Sequence, residues 1–225
     1  MKNEQIDQEV FNTLKKLIRK RFLYKIEQFV QYAVNHLPYT EPTVRSSIYR
    51  LIENNVIVPS SCLTRADILK NTTRNAIYQF IYHHPGSILK EVKIQFNLGN
   101  HETRWHITML EQFGFIRSRK IQHFVALFPI ELESSYEEVL FLLNKESVQK
   151  IIKLLEQRVE MSQTELKKAL NLHHSTIQYY LRPLLATQLI FSHHSGRVTK
   201  YSLNHEKLGE IKEVIRRLQQ KKESN

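Results

Sequence analysis

The stretch that decides the fold is Leu98-Gly99-Asn100-His101-Glu102-Thr103-Arg104-Trp105-His106-Ile107-Thr108-Met109-Leu110-Glu111-Gln112-Phe113-Gly114-Phe115-Ile116. Leu98 closes one helix, and the polar cluster Asn100, His101 and Glu102 opens another. Trp105, Ile107 and Leu110 are expected on its buried face, Gly114 is its natural stop, and Phe115-Ile116 begins a strand. The pattern recurs. Moved back by 59 positions, Leu98, Ile107, Leu110 and Ile116 fall on Tyr39, Ile48, Leu51 and Ile57. Moved forward by 74, they fall on Leu172, Leu181, Leu184 and Ile190. Such self-similarity is the signature of repeated modules. The expected fold is mainly α with small β-hairpin wings, built as three tandem (winged) helix-turn-helix modules.

Working outward, residues 1–69 form the first module. Ile6, Val10, Leu14, Leu17 and Ile18 recur at helical spacing from about Gln5 to Phe22. Ile26, Phe29, Val30, Ala33 and Val34 repeat it from Tyr24 to His36. Thr40 is a candidate cap, with Pro42 in the first turn that follows. Ile57-Val58 reads as a short strand and Pro59-Ser60-Ser61 as a turn. No second strand is evident before Thr64, so this wing is short or absent.

Residues 70–130 form the second module. Thr72 or Thr73 caps its first helix, and Pro85-Gly86 separates that helix from the next, Ile88 to Phe96. After Gly114, a strand through Arg117, Ser118, Arg119 and Lys120 and a second from Phe124 to Phe128 make a hairpin. Residues 131–144 are an acidic linker or helix whose Val139, Leu140, Leu142 and Leu143 make it pack. Residues 145–225 form the third module and a C-terminal helix. Ser162-Gln163-Thr164-Glu165 is a capping box. Ser195-Gly196-Arg197 turns a second hairpin, and Leu208, Ile211, Val214, Ile215 and Leu218 give the last helix an apolar face. Pro183 falls inside the third helix of this module, where it removes an N–H and is expected to kink the helix.

The formal net charge of +11 favours a polyanionic partner. The middle segment is the most one-sided, because it has few acids. One cysteine, Cys62, excludes a disulfide framework or a thiolate zinc site. Five glycines leave little room for phosphate-cradling loops, and no catalytic motif is present, so an enzyme is not expected. No cofactor is called for. The pairs His83-His84, His173-His174 and His193-His194 do not make a metal site, since neighbours on a helix point about 100° apart. No apolar run suits a membrane span or a signal peptide, so the expected location is cytoplasmic, or on the nucleoid if DNA is bound.

Modules two and three resemble the tandem winged-helix regulators common in archaea, close to the MarR and ArsR superfamilies. The residues that carry the likeness are Arg74-Asn75-Ala76-Ile77-Tyr78 with His84-Pro85-Gly86, and Glu102-Thr103-Arg104-Trp105-His106-Ile107 with Gly114 to Arg119. In the third module they are Ser162 to Leu166 and Ser175 to Leu181. Trp105, His106 and Ile107 stand where that family's helix usually reads Tyr-His-Leu. The resemblance implies a transcription regulator that sets one helix in the major groove of double-stranded DNA and lays a wing along the backbone.

Residues off the apolar stripes are the candidate contacts. They are Asn100, His101, Thr103, Arg104 and Thr108 on the second module's helix, and Arg117, Arg119, Lys120 and His123 on its wing. In the third module they are His174, Ser175, Thr176 and Gln178, with Arg197 and Lys200 on the wing. In the first they are Arg45, with Thr43, Ser46 and Arg50. Trp105 and His106 are expected to pack. The alternative is a winged-helix protein-interaction scaffold, resembling subunits of ESCRT-II or of basal transcription factors. The wingless first module and Pro183 favour it. The terminal helices also offer a surface for a homodimer.

Overall fold

The computed structural model describes residues 2–18, 24–58 and 64–223. The end of the first expected helix, the Pro59-Ser60-Ser61 turn and Cys62 lie outside them. The chain divides into two compact units, one of Met1–Gln79 with Lys93–Arg117, the other of Phe80–Val92 with Ser118–Asn225.

In the first unit, α1 (Lys2–Ile18), α2 (Ile26–Val34) and α3 (Glu41–Glu53) enclose a core of Val10, Leu14, Phe29, Ala33, Val44 and Ile48. Arg50 on α3 grips Asp7 on α1 with two hydrogen bonds of 2.6 and 2.9 Å, which holds the Asp7 carboxyl below its usual value. Arg50 is thereby withdrawn from the candidate contacts. Ile57 makes a single antiparallel bridge with Thr64, so the expected wing of this module is reduced to one bridge among the described residues. A short helix not evident in the sequence, α4 (Arg65–Ile68), follows, and α5 (Thr72–His83) begins the second module. The cap of α5 is Asn71, whose Oδ1 accepts from the Arg74 amide at 2.8 Å, one residue before the expected Thr72. After α6 (Leu89–Gln95) comes α7 (Asn100–Gln112), entered through Gly99.

The second unit holds β1 (Ser87–Ile88) and β3 (Phe124–Pro129), antiparallel with Ser87 opposite Leu127. With β2 (Ile116–Ile121) they form a three-stranded sheet in the order β1-β3-β2. The acidic segment becomes a 3-10 turn (Ser134–Tyr136) and α8 (Glu137–Leu143), with Val139, Leu140, Phe141 and Leu142 buried. Phe141 backbone lies so close to Gly86, at φ +93°, that a Cβ there would come within 2.8 Å of it. Asn144 donates to the Pro85 carbonyl at 2.8 Å.

The third module repeats the second with α9 (Glu146–Gln157), β4 (Met161–Ser162), α10 (Gln163–Leu170), α11 (His174–Ala186), β5 (Ile190–Ser195) and β6 (Val198–Leu203). Its sheet order is β4-β6-β5. The Ser162/Glu165 capping box forms as expected. α11 continues through Pro183 to Ala186, and Thr187 Oγ1 donates to the Pro183 carbonyl at 2.9 Å. α12 (His205–Glu223) buries Leu208, Ile211 and Leu218 within its own chain, tied by Tyr136 donating to Glu210 at 2.6 Å.

The repeat displacement is visible in the elements. α3, α7 and α11 are each 13 residues long and begin at 41, 100 and 174. Each is followed two positions on by a residue with positive φ, Asn55, Gly114 and Gln188. Only one of the three is glycine. The wing turns also correspond, at Gln122 and Gly196.

Candidate nucleic-acid interface

α7 is the best-formed candidate. Its inner stripe is Thr103, His106, Ile107 and Leu110, all buried. Asn100, His101, Arg104 and Thr108 are exposed, and Arg104 has no partner among the described residues. Thr103 is a correction to the expected contacts. It points inward, and its hydroxyl donates to the Gly99 carbonyl at 2.8 Å, one turn back. Trp105 is the opposite correction. Placed among the packing residues by the sequence pattern, it is 51% exposed. A helical step of 100° sets it beside His101 and Thr108 rather than beside Ile107.

The far end of α7 is held by a residue that the sequence reading did not single out. Arg65 donates to the carbonyls of Phe113 at 2.7 Å and Gly114 at 3.2 Å, and its guanidinium lies 4.5 Å from the Phe115 ring centre. A cation on the last carbonyls of a helix satisfies orphan acceptors and meets the negative end of the dipole. Nothing local in the sequence marks this role, because Arg65 and Phe113 are far apart along the chain. Gly114 sits at φ +65°, and a Cβ there would meet the Asn55 amide at 2.7 Å.

The wing cations are less free than their spacing suggested. Arg119 pairs with Glu137 at 3.1 Å, a carboxylate only 2% exposed, while Arg119 itself is 48% exposed. Arg117 also interacts within the chain. Lys120 and His123 are exposed. In the third module Lys200 is bound to Glu160, which His193 also meets at 2.9 Å. Those contacts hold the Glu160 carboxyl down and the Lys200 ammonium up. Arg197 stays exposed at the turn. Arg45 pairs with Glu41, one helical turn away, at 2.9 Å.

α11 is not a copy of α7 in its surroundings. Its outward residues Ser175, Gln178, Tyr179 and Arg182 line a cleft of about 570 Å³ whose other wall includes Gln122 and His123 of the β2–β3 turn. Tyr179 donates to Gln122 across it. His174 is exposed, its carbonyl accepting from Gln163 at 3.2 Å, and Thr176 is half-buried. Among the described residues no three of His, Cys, Asp or Glu gather as a metal site would require, and no helix is long and apolar enough to cross a membrane.

No family model matches the chain. An uncharacterised HTH-type transcriptional regulator of Methanocaldococcus jannaschii is 27% identical over 142 residues, covering 63% of this chain and 36% of the relative. The chain thus spans little more than a third of that protein's length. Among solved structures, an ArsR family transcriptional regulator aligns with 40% of this chain and 93% of its own, at 16% identity and TM-score 0.37. A chain of the endosomal complex ESCRT-II aligns with 89% of this chain and 87% of its own, at 15% identity and TM-score 0.25.

Proposed function

We propose that the chain is a DNA-binding transcription regulator of the helix-turn-helix type that sets α7 in the major groove. The observation that carries this reading is the outward face of α7. Asn100, His101, Arg104 and Thr108 are unburied on a helix whose other side is locked into the core, and whose last turn Arg65 fixes. A helix of this kind fits the major groove, where base edges are distinguishable, and amide and guanidinium groups pair with purine edges. The similarity to an HTH-type regulator and the net charge of +11 support it. Lys120, His123 and Arg197 are the candidate phosphate contacts. Lys200, Arg119 and Arg45 would first have to leave their carboxylates.

Selection from a random duplex library with the purified chain, followed by mobility shift on the enriched site, tests the reading. Affinity is expected to fall steeply between ~50 and ~200 mM salt, because cations displace counterions from phosphates. Arg104→Ala is expected to weaken the selected site by about tenfold and to relax preference at one base pair. Lys120→Ala is expected to weaken all duplexes alike. No enrichment, and no preference for any duplex over a scrambled one at ~150 mM salt, would sink the proposal.

The engaged wing cations and the Tyr179–Gln122 contact favour a second reading, a winged-helix scaffold for a protein partner. A stoichiometric protein partner, recovered with no DNA footprint, would favour it over the first.

A further inference from the structure

The outward face of α7 carries one large apolar group among its polar ones. Trp105, the chain's only tryptophan, stands one turn on from His101 and three residues before Thr108. Half of an indole in water is an ordinary finding by itself. What lies behind it is not ordinary. Arg74, on α5, is 2% exposed, and no carboxylate pairs with it among the described residues. Its backbone amide is used by Asn71, its Nη1 donates to the Ile68 carbonyl at 3.1 Å, and its Nε has no partner. The guanidinium carbon lies 4.6 Å from the centre of the Trp105 ring.

Burying a cation without a counter-charge is strongly unfavourable. Here the π face of Trp105 and one carbonyl are its main compensation. The contact works in both directions: the indole shelters the cation, and the cation fixes the indole in one orientation. The result is a rigid apolar plate, flanked by His101 and Thr108, on the side of the helix turned away from the core. A side chain with little freedom left to lose binds with less entropic penalty than a mobile one.

An apolar plate on a helix that enters the major groove has one apolar feature to meet there, the 5-methyl group of thymine. We propose that Trp105 reads thymine through that methyl, and that Arg74 is the positioning residue that holds the indole in place to do so. This rests on the reading of α7 as the groove-entering helix. It adds a base preference that the polar residues of the face do not supply, since removing a methyl leaves every hydrogen-bonding group of the base intact.

The test uses the full chain and the selected duplex. Trp105 is the only indole, so its emission reports on this position alone. On titration the emission is expected to shift and to saturate at the same duplex concentration as the mobility shift. Thymines of the site are then replaced one at a time by deoxyuridine. Loss of the critical methyl is expected to weaken wild-type binding about fourfold, the worth of one buried carbon. Trp105→Ala is expected to bind thymine and deoxyuridine sites alike, and Trp105→Phe to keep part of the discrimination. Arg74→Met is expected to bind with a reduced thymine-to-deoxyuridine ratio, an effect that a purely structural role would not produce. If Arg74→Met does not fold, the deoxyuridine series in wild type and in Trp105→Ala still decides the matter. Unchanged emission at saturating duplex would overturn the proposal, as would an equal deoxyuridine penalty in wild type and Trp105→Ala. A wild-type chain that shifts no duplex would overturn the groove-entering role of α7 itself, which the mobility shift registers separately.

Discussion

His106 lies on the inner stripe of α7, 3% exposed, with its Nδ1 unpartnered. Burial first, and then the Arg74 cation, hold its imidazole below the ordinary value of 6.5. The unfolded chain therefore takes up a proton at His106 before the folded chain does. Protons bound in excess by the unfolded state make stability rise with pH. Stability is accordingly expected to be greatest above pH 6.5 and to decline as pH falls through 6.5 toward the depressed folded value, then to level off. Thermal melts between about pH 7.5 and 5 measure this, and His106→Leu is expected to remove the His106 share of the slope. A wild type and a variant with parallel pH profiles would refute it. The expectation that His106 packs was legible from its position beside Ile107. The exposure of Trp105 was not, because a tryptophan in an amphipathic pattern reads as core unless something behind it explains its placement, and Arg74 stands in another helix.

Arg65 illustrates how one element's end is built by another. α7 stops at Gln112, the chain turns at Gly114, and the free carbonyls at that turn receive a guanidinium from α4. Arg65→Ala is expected to cost about 1 kcal/mol, the scale of one charge-assisted hydrogen bond at a helix terminus. Hydrogen exchange at Phe113, Gly114 and Phe115 is expected to speed up while that of α1 stays unchanged. Uniform acceleration across the chain would mean that Arg65 supports the whole unit instead. The three long helices of the repeat were legible because Ile48, Ile107 and Leu181 recur in register and each is buried. The strands β1 and β4 were not, because two residues are too short to show alternation. Nor could a count of basic residues show that Arg119 and Lys200 have intramolecular carboxylates. Those partners arrive by folding, from 18 and 40 positions away.

At the scale of the molecule, the boundaries expected at 69/70 and 130/131 cut through contacts. Arg65 caps α7 from before the first, and Phe141 and Glu137 meet Gly86 and Arg119 from beyond the second. A fragment of residues 70–130 is therefore expected to show weak far-UV helicity and poorly dispersed amide resonances. A fragment of residues 64–144 is expected to recover both. A well-dispersed spectrum from 70–130 alone would show that these contacts are dispensable. Composition and periodicity were sufficient to find three modules, since each has its own apolar stripe. They also showed that the 131–144 segment packs, through Val139, Leu140 and Leu142, but not against what: its contacts with Gly86 and Arg119 come from residues far away in the sequence.

The two units are interleaved along the chain, which crosses between them at 79/80, 92/93 and 117/118. This has a meaning for a nascent polypeptide emerging from the ribosome N-terminus first. The earlier unit stays incomplete until Arg117 has left the exit tunnel. By then Phe80–Val92, with Ile81 and Tyr82 that end up buried, has already emerged, while Ser118 onward, the rest of its unit, is still to come. During that interval the segment is separated from the rest of its unit, so the yield of native chain is expected to depend on the pace of elongation.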